Sequence, residues 1–117
     1  MPQGPPEPFL VGNTRGITIV KFLNAKLGTD VRDALYELIE KHGHRQVILD
    51  FENVRVLTSA PIGMLINLKN KAEAVGGSVR FSRLAPDVRE ILRLTSVESL
   101  FRIFDTEQDA IDSFSAS

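Results

Sequence analysis

The run Gln46-Val47-Ile48-Leu49-Asp50-Phe51 decides the fold, because it is a short and nearly continuous apolar segment. Runs of this kind are typical of strands that are buried on both faces, as in sheets that are at least partly parallel. We therefore expect residues 46–51 to form the central strand, with the other elements arranged around it.

Strands and helices alternate after this central strand. Glycines end helices readily, and proline is tolerated in a first helical turn. An approximate capping box, formed by Thr106 and Asp109, starts the last helix. In chain order the pattern first predicts a helix over 62–75, ended by Gly76-Gly77, and a strand over 79–81. A helix follows with Pro86 in its first turn and with Val88, Ile91 and Leu92 facing inward. The last elements are a strand over 101–104 and a helix from Thr106 that docks through Ile111 and Phe114.

The segment before the central strand predicts a hairpin and one helix. Residues 9–11 and 17–23 are rich in β-formers, and the loop 12–16 between them contains residues that tolerate positive φ. An amphipathic helix follows, with Thr29 or Asp30 as its cap and Gly43 as its stop. Its apolar stripe consists of Val31, Ala34, Leu35, Leu38 and Ile39.

These elements give an α/β domain in the order β-β-α-β-α-β-α-β-α, with a mixed β-sheet of about five strands, about four helices and right-handed crossovers. The length of 117 residues and the 43% hydrophobic content suit one packed core. Four prolines among the first eight residues predict a flexible Pro-rich arm over 1–8, followed by the folded domain over 9–117.

Composition narrows the class of function. Fourteen basic and fifteen acidic side chains are scattered along the chain and give a formal charge of −1, so we expect neither a nucleic acid nor a membrane as partner. The chain has no cysteine, which excludes disulfides, thiolate metal sites and cysteine nucleophiles. Without a secretion signal or an apolar run of about 18 residues, we expect a cytoplasmic protein.

Motifs for nucleotide or metal chemistry are missing from the sequence. Neither G-x-x-x-x-G-K-[ST] nor G-x-G-x-x-G occurs. His42 and His44 flank Gly43, but no third ligand stands near them in sequence, and they are interpreted as solvated loop histidines. We therefore expect no metal and no cofactor.

Two other functions, a signalling receiver and a serine hydrolase, would use residues in or near the central strand. Asp50 resembles the phosphoacceptor of a two-component receiver domain, but residues 17–24 end without the acidic pair that would hold magnesium. Ser59 lacks the glycines of a G-x-S-x-G elbow, and Pro61 removes an amide that an oxyanion hole would use. The residues present therefore disfavour both a receiver domain and a serine hydrolase.

The turn Thr58-Ser59-Ala60-Pro61 is the remaining candidate site. In the simplest interpretation, Thr58 or Ser59 caps the following helix and Pro61 lies in its first turn. The helix start is apolar on nearly every side, which predicts that part of it is exposed to a partner. The apolar residues concerned are Ile62, Met64, Leu65, Ile66 and Leu68.

At this turn the chain resembles the STAS domain of anti-sigma-factor antagonists, in which a hydrophobic strand leads to a serine at a helix start. The order of elements matches over about residues 9–115. The local match covers residues 49–54, 56–63, 76–77 and 79–81. The family often has Asp-Ser-Ser-Gly-Leu-Gly at the turn, which sets Ser59 at the phosphorylated serine and Gly63 at the closing glycine.

The resemblance implies a bacterial regulator of transcription and not an enzyme. Its implied partners are an anti-sigma factor that is also a serine kinase, and a phosphatase. The unmodified antagonist sequesters the anti-sigma factor, and the phosphorylated form releases it. The resemblance implies phosphorylation at Ser59, or alternatively at Thr58, in a monomer or weak dimer, and partner binding by Thr58, Ala60, Pro61, Ile62, Gly63 and Met64.

Four positions depart from the family pattern. Thr58 stands where the family usually has Asp, Ala60 replaces a serine, and Pro61 replaces a glycine. Gly28 falls roughly where many members have an acid. A second interpretation is a constitutive STAS scaffold or ligand-sensing module, in which Ser59 only caps the helix and the face of Ile62, Met64 and Leu68 builds an assembly.

Overall fold

The computed structural model describes residues 8–115, so all but the last residue of the predicted Pro-rich arm lies outside the described part. The order of elements is the one predicted from the sequence. The elements are β1 (Phe9–Thr14), β2 (Ile17–Phe22), a 3-10 helix (Thr29–Val31), α1 (Arg32–Glu40), β3 (Gln46–Asp50), α2 (Ser59–Ala74), β4 (Ser78–Ser82), α3 (Pro86–Leu94), a 3-10 helix (Glu98–Leu100), β5 (Arg102–Phe104) and α4 (Glu107–Ser115).

The five strands form one mixed sheet in the order β1-β2-β3-β4-β5. β1 is antiparallel to β2, and every other neighbouring pair is parallel. β3 is central, as its apolar run predicts, and its last four residues are buried. The domain therefore has the α/β architecture that the alternation of strands and helices predicts.

The hairpin between β1 and β2 is tighter than the five-residue loop predicted from its glycines. The strands continue through residues 12–14, and only Arg15 and Gly16 form the turn, with φ values of +56° and +80°. Two successive residues with positive φ are typical of a type I′ hairpin turn.

The two faces of the sheet bury cores of different size. Val47 and Leu49 face the large core under α1, α2 and α3, whereas Ile48 points to the opposite face. There a small cluster of Ile17, Ile48, Ala110 and Ile111 packs α4 against the sheet. The period-2 alternation of β3 thus explains how one strand is covered by helices on both sides.

The helix caps agree only partly with the sequence. The side chains of Thr29 and Asp30 make no capping hydrogen bond, because both residues belong to a 3-10 turn that precedes α1. In α4, by contrast, the Asp109 amide donates to Thr106 Oγ1 at 3.0 Å, which confirms the predicted cap. Val88 and Leu92 of α3 and Ile111 of α4 are buried as predicted, whereas Ala34 of the α1 stripe is exposed.

The expectation of an exposed apolar helix start is wrong for α2. This helix packs against β4 and α1 and also against the 3-10 turn before α1, so protein covers it on several sides. Ile62 and Met64 are only 5% and 4% exposed. Pro61, Leu65 and Leu68 are also buried, and Ile66 is partly buried.

Candidate functional site

Ser59 is the first residue of α2, and its side chain is exposed to solvent. The preceding residue, Thr58, has extended φ and ψ angles of −108° and −178° and is also exposed. Thr58 thus occupies the predicted N-cap position, but its hydroxyl makes no capping hydrogen bond. The Thr58 side chain therefore does not form the predicted cap.

The start of α2 is a favourable place for added negative charge. The helix is 16 residues long, and its first turn contains no acidic side chain. Aligned peptide dipoles give a helix N-terminus about half a positive charge, and its first amides have no partner within the helix. A phosphate on Ser59 would therefore meet amide donors and no local carboxylate from the same turn.

The loop between β3 and α2 is held by the segment that follows β2. The amides of Arg55 and Val56 donate to the Ala25 carbonyl at 2.7 and 3.0 Å, and the Leu27 amide donates to the Val56 carbonyl at 3.2 Å. Val54 is also fully buried. These contacts tie the loop that precedes Ser59 to residues 25–27.

Asp50 ends β3 inside a group of ionic side chains. Its carboxylate is fully buried and accepts hydrogen bonds from the Glu52 amide at 2.9 Å and from Arg83 Nε at 3.0 Å. Arg83 also contacts Glu52 at 3.1 Å and Glu107 at 3.5 Å, while Lys21 pairs with Glu52 at 2.8 Å. A carboxylate enclosed in this way is not accessible as a receiver-type phosphoacceptor.

This cluster shifts the pKa values of two carboxyl groups in opposite directions. Burial pushes the pKa of Asp50 upward, but hydrogen bonds with Glu107, Arg83 and the Glu52 amide outweigh it and leave the pKa below its usual value. The pKa of Glu107 is raised, because its protonated form can donate to Asp50 and because it is partly buried. The cluster thereby connects the start of α4 to the carboxyl ends of β3 and β4.

The two histidines lie far from Ser59 in the fold. His44 Nδ1 and Thr18 Oγ1 are 2.9 Å apart, near the amino ends of β2 and β3. Ser59 follows the carboxyl end of β3, so neither histidine is placed to act as its base. Within residues 8–115 no group of three His, Cys, Asp or Glu side chains could hold a metal ion.

The residues implied as partner-binding fall into two groups. Thr58, Ala60 and Gly63 are exposed beside Ser59. Pro61, Ile62 and Met64 are buried, so their side chains support the helix start from inside. A partner that docks here would contact the small and polar residues first.

Sequence reasoning missed the ionic cluster around Asp50. Arg83 and Asp50 are 33 residues apart, and Glu107 belongs to a different helix. The one signal was an acidic residue at the end of an apolar strand, since a buried carboxylate requires a cation or donors. That signal indicates a partner but does not identify it.

Among the helices that the structure describes, none has both the length and the hydropathy needed to span a bilayer.

Comparisons with known proteins identify the family and the fold. A STAS-domain-containing protein of Pseudomonas aeruginosa is 35% identical over 74 residues, covering 63% of this chain and 71% of that protein. The structure of an anti-sigma-factor antagonist (STAS) domain protein from Planctomyces limnophilus superposes with a TM-score of 0.83 at 19% identity, over 92% of this chain and 98% of that one.

The Bacillus anti-sigma factor antagonist SpoIIAA has been solved in two states. Its unphosphorylated form gives a TM-score of 0.75 at 20% identity, over 93% of this chain and 97% of that chain. Its phosphorylated form gives a TM-score of 0.68 at 20% identity, over 91% of this chain and 98% of that chain. The STAS domain model matches residues 17–110, which is most of the chain and includes the site. The chain therefore belongs to the STAS domain family.

Proposed function

We propose that this STAS domain is an anti-sigma-factor antagonist whose binding is gated by phosphorylation of Ser59. The observation that supports it is the exposed Ser59 hydroxyl at the amino end of a 16-residue helix whose N-cap side chain is unused. SpoIIAA, which shares the fold, exists in a phosphorylated form. In this proposal the chain is the substrate and regulator, and a kinase and a phosphatase supply the catalysis.

The gate is electrostatic. A phosphate adds a charge of about −1.5 to −2 and three strong acceptors at neutral pH. At the α2 start the fold tolerates this charge, whereas a partner packed against Thr58, Ala60 and Gly63 must desolvate it. A penalty of about 3 kcal/mol weakens binding by about two orders of magnitude. Since sigma factors act in the cytoplasm, the proposal places the switch there.

The constitutive scaffold has weaker support. It requires the face of Ile62, Met64 and Leu68 to be available for assembly, and all three side chains are at most 5% exposed. The small exposed surface around Ser59 suits a gated contact better than a large apolar interface.

The direct test combines phosphosite mapping with partner binding. The full chain is incubated with ATP and an anti-sigma-factor serine kinase from the same genome, and the site is mapped by mass spectrometry. We expect modification at Ser59, with Thr58 as the alternative acceptor. Phosphorylation at neither Ser59 nor Thr58 would contradict the proposal.

Binding of the unmodified chain to that kinase is then measured by calorimetry. Ser59→Asp is expected to weaken it by about 100-fold, while Ser59→Ala binds whether or not ATP is present. Ser99→Asp, at an exposed serine in the second 3-10 helix, is the matched control and should bind like the wild type. Equal affinity for wild type and Ser59→Asp would reject the gate.

A further inference from the structure

Three turns meet around a cavity at the end of the sheet opposite to Ser59. They are the β1–β2 hairpin turn, the loop between α1 and β3, and the turn between α2 and β4. The cavity has a volume of about 330 Å³ and is lined by Gly16, Gly43, His44, Arg45, Gln46 and Gly76. It is separated from the α2 start by the length of β3, which is about 16 Å at about 3.3 Å per residue.

Three glycines line this cavity, and all three have a positive φ, which glycine adopts without strain. A Cβ at Gly16, Gly43 or Gly76 would have no atom within 4 Å, so these positions border open space. The volume lies at the lower end of the range of small-molecule sites, about 300–1,000 Å³. This volume suits a compact ligand.

Cations predominate in the turns around the cavity. Arg15, Lys41 and Arg45 lie in these turns, and no Asp or Glu occurs in the segments 12–18, 41–46 or 75–78. Among residues 8–115 the ion pairs include none of these three cations. Part of the Lys41 charge offsets the negative end of α1. Arg15 and Arg45 are outside any helix and remain available to an anion.

His44 is held at the cavity by a buried partner. Thr18 Oγ1 lies 2.9 Å from His44 Nδ1, and Thr18 is only 1% exposed. When the hydroxyl donates to Nδ1, the neutral ring carries its hydrogen on Nε2. A ring fixed in this way offers a donor whose position costs little entropy to maintain.

From these features we propose that the cavity binds the phosphoryl group of a small free anion, with Arg45 as the main charged contact and His44 as a positioned donor. A guanidinium matches the geometry of phosphate oxygens and forms charge-assisted hydrogen bonds with them. With only three cations across the turns, the surface suits a compact anion and not an extended polyanion. This site is independent of Ser59 and would add a ligand input to the domain.

The probe is inorganic pyrophosphate, titrated into the ¹⁵N-labelled full chain and followed by NMR. We expect saturable shifts of the amides of Gly16, Gly43, His44 and Gly76, and none at Ser59. Arg45→Gln should weaken the affinity by about tenfold, the loss of one charge-assisted contact. Lys41→Gln should weaken it less, because its charge is partly used by α1.

The matched control is Arg32→Gln, which removes the same charge from an exposed residue at the start of α1, near the other end of the sheet. It should bind pyrophosphate like the wild type. Equal losses for Arg45→Gln and Arg32→Gln, shifts without saturation, or binding to vesicles containing phosphatidic acid but not to pyrophosphate would each overturn the proposal.

Discussion

Arg83 lies directly after β4 in a left-handed backbone conformation, with φ at +57°. This conformation is uncommon for residues other than glycine. Here it accompanies the ion pair between the guanidinium and the fully buried Asp50. The Arg83 side chain is about one-third exposed and reaches Glu52 and Glu107 as well. The Arg83 side chain thus connects the end of β3, where Asp50 and Glu52 lie, to the start of α4.

We expect Arg83→Gln to lower the free energy of unfolding by about 3 kcal/mol at neutral pH, because it leaves a buried carboxylate without its cation. The contribution of Asp50 to folding stability depends on pH in a definite direction. A folded pKa below the usual 3.8 stabilises the fold above that value, and this stability is lost as the pH falls through the folded pKa. The gap between wild type and variant should therefore narrow in acid, as measured by urea unfolding across pH.

Arg32→Gln is the control for this experiment, since it removes an arginine from an exposed ion pair with Asp33. Exposed pairs contribute little to stability, so this variant should follow the wild-type curve. A pH-independent loss in Arg83→Gln would indicate a packing effect and contradict the electrostatic explanation.

At the scale of single elements, the starts of α2 and α4 differ in one hydrogen bond. Thr106 Oγ1 accepts the Asp109 amide at 3.0 Å, whereas the Thr58 hydroxyl makes no cap. Both residues are exposed, and both precede a helix. Their difference separates structural capping from a hydroxyl left available for another role.

Thr106→Ala should lower the free energy of unfolding by about 1 kcal/mol, because one helical amide loses its acceptor. Thr58→Ala should cost clearly less, because no side-chain bond is lost. Thermal unfolding of the two variants beside the wild type measures the difference. A larger loss for Thr58→Ala would mean that its hydroxyl does cap α2 in solution.

The sequence predicted elements whose signals are local. The β3 run, the Thr106 cap and the inward residues of α3 follow from neighbours within a few positions, and the structure confirms them. The burial of Ile62 and Met64 was mispredicted, since it depends on the packing of α2 against α1 and β4. The position of Ser59 at a helix start was predictable because turn and helix signals adjoin it.

Contacts between distant segments could not be predicted in this way. The Asp50–Arg83 pair and the loop contacts to Ala25 each join residues that are far apart in sequence. Nothing in the local pattern of either segment specifies its partner. The hairpin was placed correctly but with a loop that was too long, because strand pairing extended β1 to Thr14.

On the scale of the whole molecule, the sheet separates a large core from a small one. α4 is the last element, and its buried contacts are the small cluster around Ile48. Leu49 is the next residue of β3, faces the large core and is equally buried. Elements attached by few buried apolar contacts open at lower free energy than the rest of a domain. α4 is therefore expected to be a separate opening unit.

Ile48→Ala and Leu49→Ala provide a matched pair on the two faces. Each should lower the global free energy of unfolding by about 2–5 kcal/mol, since a buried aliphatic side chain is truncated. Amide hydrogen exchange should distinguish them. Ile48→Ala is expected to speed exchange in α4 more than in β2–β4, because it removes the centre of the cluster that holds this helix. Leu49→Ala should instead lower protection from exchange across β2, β3 and α2 together. Uniform acceleration in both variants would mean that α4 opens only when the whole domain unfolds, and that the small core is as cooperative as the large one.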